Sequence, residues 1–391
     1  MPISELTGLP NKLISGPGAI DRLSAEIKAH GGRRVILFSG PHISKTPMVL
    51  DQIDKMCAEG LEVRLFNEIG ANPTDKMVAA GVEAMKDFKP DFMVIIGGGS
   101  PLDCAKAANV VYNNGGEAED YNVNTGGFMR ITKPLLPFIA VPTTAGSGSE
   151  VTPVGVITST KRHVKFGIAS PKLMPESAIL DPNLTVGLGR KTTSFTGIDA
   201  LTHLIEAYVA VSDCPIGDGI CLQGIRMISK ALPKAYEDGS DIEARNDMLM
   251  ASCMGGLVIK LKGLGLCHQM AHQLSAYFDT AHGLANAMLL PHVMNFNMEA
   301  AASRYADVAE ALGADTRGLE KRQAGLLAIE KIKELNRMFG IPEYLEEIGV
   351  DKAQVPAMAI TALEDGVGKP NPVPTTVKQC ENVFYGCFRN S

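Results

Sequence analysis

The histidines are the first residues that could do chemistry. Five of the eight (positions 30, 42, 163, 203, 268, 272, 282 and 292) fall between 203 and 292. Asp199 and His203 stand four apart in a helical pattern running from Thr196 to Glu206, so both side chains leave one face about 6 Å apart. His268 and His272 repeat that spacing, and His282 follows just before Gly283, where a sharp turn is permitted. An aspartate with three histidines is a donor set suited to a divalent transition metal, with one coordination position left for substrate. The competing reading is a set of core histidines satisfied by neighbours, and spacing alone does not decide between His268 and His272 as a ligand.

Two loops complement this cluster. The run from Ile95 to Asp103 passes from an apolar strand through Gly97, Gly98 and Gly99 into Ser100 and Pro101. Glycines let a backbone approach an anion closely, and helix N-terminal amides offer donors and a positive dipole end. The spacing is not Gly-x-Gly-x-x-Gly, so an ordinary tight turn competes with a nucleotide site. Pro142 to Glu150, with Thr143, Thr144, Ser147 and Ser149, is a second hydroxyl-rich loop after an apolar strand, either a ligand contact or a loop satisfying its own backbone.

These residues need elements to hold them. Short β-branched runs at Val35–Phe38, Leu61–Phe66, Phe92–Ile96 and Phe138–Val141 alternate with helical patterns at Thr46–Ala58 and Thr74–Phe88, which predicts a parallel α/β sheet. Asn72 to Asp75 predicts a turn into a helix N-cap. Beyond about Gly187, strand-like runs disappear and Ser194–Ala210, Asp218–Leu232 and Ile242–Met254 read as helices. Two domains are expected, an α/β dinucleotide-binding domain over 1–187 and an all-helical metal-binding domain over 188–391, hinged near Asp181 to Lys191. The cleft between such halves is the expected active centre, where a metal polarises a carbonyl while a nicotinamide exchanges hydride.

Composition limits the alternatives. The 391 residues are 45% hydrophobic and 20% charged with a net charge of −6, the profile of a globular protein that needs no disulfide staple. Arg33-Arg34 and Lys161 to Lys165 are too short to follow a phosphate backbone, so no nucleic-acid partner is expected. No membrane partner is expected, because no apolar window reaches eighteen residues. The stretch Met1 to Leu13 lacks the pattern of a secretory signal, and the eight cysteines include no Cys-x-x-Cys pair, so a cytoplasmic location with buried thiols is expected.

Taken together, the segments Ile14–Ala19, Gly97–Asp103, Pro142–Gly146, Gly197–His203, His268–His272 and His282–Asn286 resemble the iron-containing (group III) alcohol dehydrogenase family, and the likeness runs over almost the whole chain. The resemblance implies a dehydroquinate-synthase-like fold, α/β plus all-α, with an N-terminal parallel-sheet dinucleotide domain and a C-terminal helical metal-binding domain. It implies Asp199, His203, His268 and His282 as ligands of Fe2+, or alternatively Zn2+. His272 becomes a proton-relay candidate. It places NAD or NADP on Gly97, Gly98, Gly99, Ser100, Thr143, Thr144 and Lys165, and implies a homodimer or higher homo-oligomer.

Three departures from the family pattern bear on specificity. Gly40 aligns where many NAD-preferring relatives carry an aspartate, which leaves NADP open, with Lys45 near enough to be considered as a phosphate partner. The segment with Ile259, Lys260 and Lys262 replaces asparagine and small residues, and Val367 stands where some relatives have cysteine. With Lys369, these lysines suggest a cationic substrate pocket. The expectation is therefore an NAD(P)-linked alcohol dehydrogenase or aldehyde reductase acting on a small primary alcohol or aldehyde, with a carboxylate, sulfonate or phosphonate group as a hypothesis. A dehydroquinate-synthase-like lyase and a non-catalytic metal or nucleotide sensor are the alternatives.

Overall fold

The computed structural model describes residues 10–162 and 164–389. The first nine residues of the stretch read for a secretory signal, and His163 of the basic cluster, lie outside the described residues. The chain divides into two compact units between Gly187 and Leu188.

The first unit holds the strands β1 (Lys12–Ser15), β2 (Arg34–Ser39), β3 (Glu62–Phe66), β4 (Phe92–Gly97), β5 (Phe138–Pro142), β6 (Val154–Ser159), β7 (Val164–Ala169) and β8 (Ser177–Leu180). Six form a parallel sheet in the order β1-β8-β5-β4-β2-β3. Helices α1 (Leu23–Ala29), α2 (Pro47–Ala58), α3 (Asp75–Phe88) and α4 (Gly99–Asn114) flank it. The strands read as continuous apolar runs because both faces are covered. Along β2, Val35 and Leu37 join one apolar cluster with Leu23, Ile27, Val49 and Met56, while Ile36 and Phe38 join the other with Val82, Met85 and Ala108. Each such side chain contributes about 1.5–3 kcal/mol on full burial.

Helix α3 starts where expected: Thr74 is its N-cap, and Thr74 Oγ1 accepts the Met77 N–H at 3.3 Å. The antiparallel pair β6–β7 departs from the purely parallel expectation. Its strands alternate buried and half-buried residues, so their apolar signal is weaker than that of the central strands.

The strand order changes direction between β2, which leads outward to β3, and β4, which leads the other way to β5. The carboxyl ends of β2 and β4 are tied there by Ser39 Oγ, which donates to the Ile96 carbonyl at 2.7 Å. Such a switch point is where open α/β sheets hold ligands.

The second unit is helical: α5 (Arg190–Val209), α6 (Pro215–Glu237), α7 (Ile242–Lys262), α8 (Leu266–Phe278), α9 (His282–Ala311), α10 (Lys321–Met338), α11 (Val355–Glu364) and α12 (Val377–Tyr385). Helix α5 is buried over nearly its whole length after the first turn, which explains its lack of a polar face. Glycines allow the close packing: a Cβ at Gly197 or Gly224 would collide with Leu232 or Leu204 at the α5–α6 contact, and one at Gly283 would lie 2.1 Å from the Phe195 carbonyl oxygen. Among the described residues no single helix is long and apolar enough to cross a membrane.

Candidate active site

In the first unit, the turn out of β4 meets the loop out of β5. Thr143 N–H donates to the Gly97 carbonyl at 3.0 Å. A Cβ on Gly98 would stand 3.1 Å from Thr144 Oγ1, and one on Gly99 would stand 2.9 Å from Ser147 Oγ. The glycines therefore let the two loops close on each other while no side chain caps the first turn of α4. Open amides at a helix N-terminus are the chemistry a pyrophosphate needs. Gly97, Gly98, Gly99, Ser100, Thr143 and Thr144 are thus gathered at the carboxyl end of the sheet.

Gly40 follows β2 at the carboxyl end of the sheet, and a Cβ there would have its nearest neighbours at 3.8 Å, so a side chain has room. Lys165, on β7, donates to Asn72 Oδ1 at 3.2 Å. Lys45 is exposed.

In the second unit, ligand atoms of Asp199, His268 and His282 lie within 4.8 Å of one another. His203 stands outside that triplet but beside it, its ring stacked on His268 with centroids 4.4 Å apart. The four come from α5, α8 and α9. Burial opposes the Asp199 charge, but His203, His282 and His268 outweigh it and hold its carboxyl well below the usual carboxylate range. Asn286, one turn after His282 on α9, sits at the focus: its Nδ2 lies 2.7 Å from Asp199 Oδ1, 3.1 Å from His268 Nε2 and 3.3 Å from His282 Nε2. A carboxylate oxygen and two imidazole nitrogens gathered around one point form a ligand set of the chemistry that a divalent cation takes.

The support of this cluster was not assigned from sequence. Glu206, on the same face of α5 as Asp199 and His203, places Oε2 2.5 Å from His268 Nδ1, while its Oε1 accepts the Cys267 N–H at 2.6 Å. Burial opposes protonation of His268, yet Glu206 and Asp199 prevail and raise it to about 9. His272 Nδ1 lies 2.6 Å from Asp365 Oδ2, and its ring centroid is 5.4 Å from that of His282. Burial opposes ionisation of Asp365, but the His272 hydrogen bond and charge keep its carboxyl lowered. Asp365 also accepts the Val367 N–H, ordering the 3₁₀ turn that follows it. The 199/203/206 spacing was the available signal for Glu206; nothing local pointed to Asn286 or Asp365 as partners of histidines.

Of the lysines expected to make a cationic pocket, Lys262 is corrected. Lys262 has no side-chain exposure, and its ammonium lies 2.7 Å from Asp218 Oδ1 and donates to the Ser212 carbonyl at 2.7 Å. Its charge is already matched, so it is not the anion receptor that the sequence suggested. Lys369 is exposed, even though the adjacent Pro370 packs on Gly263. Ile259 and Lys260 are half-buried near the end of α7, and burial lowers the Lys260 ammonium from its ordinary value.

Comparison with known proteins identifies the class. Residues 10–182 match the family described as iron-containing alcohol dehydrogenase, and residues 193–387 match the C-terminal part of the Fe-containing alcohol dehydrogenase family. The chain is 38% identical over 382 residues to a 1,3-propanediol dehydrogenase of Citrobacter freundii, covering 97% of this chain and 98% of the relative. It is 36% identical over 376 residues to an NAD-dependent methanol dehydrogenase of Bacillus methanolicus, covering 96% and 98%. The crystal structure of a 1,3-propanediol oxidoreductase superposes with a TM-score of 0.93 at 36% identity, covering 97% of this chain and 98% of that one. The chain belongs to the iron-containing alcohol dehydrogenase family.

Proposed function

We propose that this enzyme interconverts a small primary alcohol and its aldehyde, using NAD or NADP and a divalent iron. The observation that carries the reading is the convergence of Asp199, His268 and His282 on one point, with His203 beside them. These four residues would hold the metal, with zinc as the alternative occupant. When bound, the metal supplies Lewis acidity toward a carbonyl or alcohol oxygen, and the nicotinamide supplies or accepts hydride.

The chain's own residues do the rest. Glu206 orients His268 and fixes its Nδ1 as the donor, leaving Nε2 aimed at the cluster. The open amides of α4 would receive the pyrophosphate, with Thr143, Thr144 and Lys165 along the dinucleotide. Asp365 holds the Nδ1–H of His272, which leaves His272 Nε2 to move the alcohol proton. The cluster is open on the His282 and His272 side, where side-chain exposures are 28% and 13%, against 1% for His268. A substrate would enter on that side.

An anionic substrate group remains part of the proposal, with Lys260 and Lys369 at the ends of α7 and of the 365–368 turn as its candidates, while Lys262 is matched by Asp218. A homodimer or higher homo-oligomer belongs to the same reading. A cytoplasmic location is proposed on the eight cysteines, all present as thiols.

The test is anaerobic turnover of apo-protein reconstituted with Fe(II) or Zn(II), with NADH and NADPH in parallel, on propionaldehyde, glycolaldehyde, succinic semialdehyde and sulfoacetaldehyde. Steady metal-dependent oxidation of reduced cofactor is expected. Absence of net cofactor turnover with every aldehyde would overturn the dehydrogenase reading, and equal efficiency on neutral and anionic aldehydes would remove the anionic group.

A further inference from the structure

Lys106, on α4 two turns beyond the glycine turn, is fully buried. Its Nζ lies 2.6 Å from the Ser149 carbonyl, 2.7 Å from the Thr152 carbonyl, 3.0 Å from the Val154 carbonyl, 3.0 Å from Ser149 Oγ and 3.3 Å from Thr152 Oγ1. Three N–H bonds cannot match five oxygens one to one. The contact is therefore that of a cation inside an oxygen shell, with neutral carbonyls and hydroxyls as its immediate neighbours.

The shell is ordered from behind. Ser149 Oγ–H donates to Asp103 Oδ1 at 2.7 Å, which turns the hydroxyl's lone pairs toward Lys106. Asp103 also accepts a hydrogen bond from the Val156 backbone, and a Cβ on Gly155 would stand 2.8 Å from the Asp103 carbonyl oxygen. Segment 149–156 is thus wrapped around the first half of α4, in continuity with Thr143, Thr144 and Ser147 against Gly97, Gly98 and Gly99. Without a cation at its centre, the Thr152 and Val154 carbonyls would lose their ammonium donor and the Ser149 carbonyl would keep only the long Thr152 contacts, its N–H at 3.3 Å and its hydroxyl at 3.4 Å, so the wrap would be weakened.

We propose that the Lys106 ammonium serves as a built-in monovalent cation that positions the dinucleotide loops, and that its oxygen shell accepts K+ or NH4+ once the side chain is removed. The inference rests on the reading of the Gly97–Ser100 turn as the dinucleotide site. Burial pulls the ammonium down to about 8, partly opposed by Asp103 and Glu150, so it stays charged at neutral pH. Lys106 is a positioning residue and touches neither substrate nor metal ligands.

The experiment is titration of NADH and NADPH, followed by nicotinamide fluorescence, into metal-loaded wild type and Lys106→Met. The supporting salt is tetramethylammonium chloride, whose cation is too large for the shell, or KCl or NH4Cl. Wild type is expected to bind equally in all three salts. Lys106→Met is expected to bind about tenfold more weakly in tetramethylammonium and to recover to within about threefold of wild type in K+ or NH4+, the cost of leaving buried acceptors unmatched and its relief. A thermal midpoint that recovers in the same salts is the second readout.

Unchanged binding in tetramethylammonium, or weakened binding with no cation-specific recovery, would overturn the inference. Should Lys106→Met fail to fold in every salt, Ser149→Ala carries the test, since it keeps the ammonium and removes one shell oxygen. A raised Kd with kcat unchanged at saturating cofactor supports the role, and an unchanged Kd overturns it. Failure of wild type to bind either nucleotide would instead reject the dinucleotide reading, and the positioning role with it.

Discussion

Glu206 Oε2 stands 2.5 Å from His268 Nδ1, so a carboxylate one turn past His203 on α5 sets the orientation of a histidine on α8. Its other oxygen accepts the first-turn Cys267 N–H at 2.6 Å. One side chain therefore holds both the Nδ1 edge of the His268 ring and the backbone that precedes it.

Glu206→Gln keeps the shape of this link and removes its charge. Outer partners of metal-bound histidines are typically worth about 10–100-fold in affinity. Chelator competition should show iron or zinc bound weaker by that factor in the variant. Unaltered metal affinity would show that Glu206 only caps α8.

Asp365→Asn removes the acceptor that holds the Nδ1–H of His272. We expect kcat to fall by about 10²-fold, the lower end for loss of positioned acid–base catalysis, with KM for aldehyde changed little. A rise in KM with kcat intact would instead assign Asp365 to the shape of the 365–368 turn.

Gly40→Asp introduces a carboxylate where a Cβ has 3.8 Å of clearance, so folding should be unaffected. The new charge would accept ribose hydroxyls and repel a 2′-phosphate. The ratio of kcat/KM for NADH over NADPH should rise by at least about tenfold, in line with loss of a buried-site charge match. A ratio that does not move would place the adenosine end of the cofactor elsewhere.

Lys262→Met leaves Asp218 with Arg304 as its remaining partner, 3.0 Å from Oδ2. Breaking a buried pair costs about 3–5 kcal/mol, and the retained arginine argues for the low end of that range. The thermal midpoint should drop, while the ratio of kcat/KM for sulfoacetaldehyde over propionaldehyde stays constant. A change in that ratio would return Lys262 to the substrate pocket.

Glu150 supplies the pH prediction. Burial pushes its carboxyl from 4.5 up to about 7, against the weaker pull of Lys106. The folded state therefore binds the proton more tightly than the unfolded chain, and stability is lost as pH rises from about 4.5 through 7. The loss is on the order of 3–4 kcal/mol. Glu150→Gln should be free of it, so the thermal midpoint of the variant relative to wild type should rise between pH 5 and pH 8. Parallel profiles would contradict this.

What the sequence by itself determined follows from spacing within single elements. The apolar runs at Val35–Phe38, Phe92–Ile96 and Phe138–Val141 are buried strands because both faces of a parallel sheet are covered, and Thr74 caps α3 because a hydroxyl there meets a free amide. Four-residue steps put Asp199 and His203, and His268 and His272, on common helix faces. The weakly alternating β6–β7 pair escaped notice for the same reason, since its apolar signal is only half as dense.

Tertiary structure decided everything that joins one element to another. Which acceptors surround Asn286, which carboxylate holds His272, and that Lys262 meets Asp218 all depend on how helices far apart in sequence pack, and pattern within an element carries no record of it. A buried lysine looks the same in sequence whether it awaits an anion, as was expected of Lys262, or fills a shell of carbonyls, as Lys106 does. Only the positions of its neighbours' oxygen atoms separate the two.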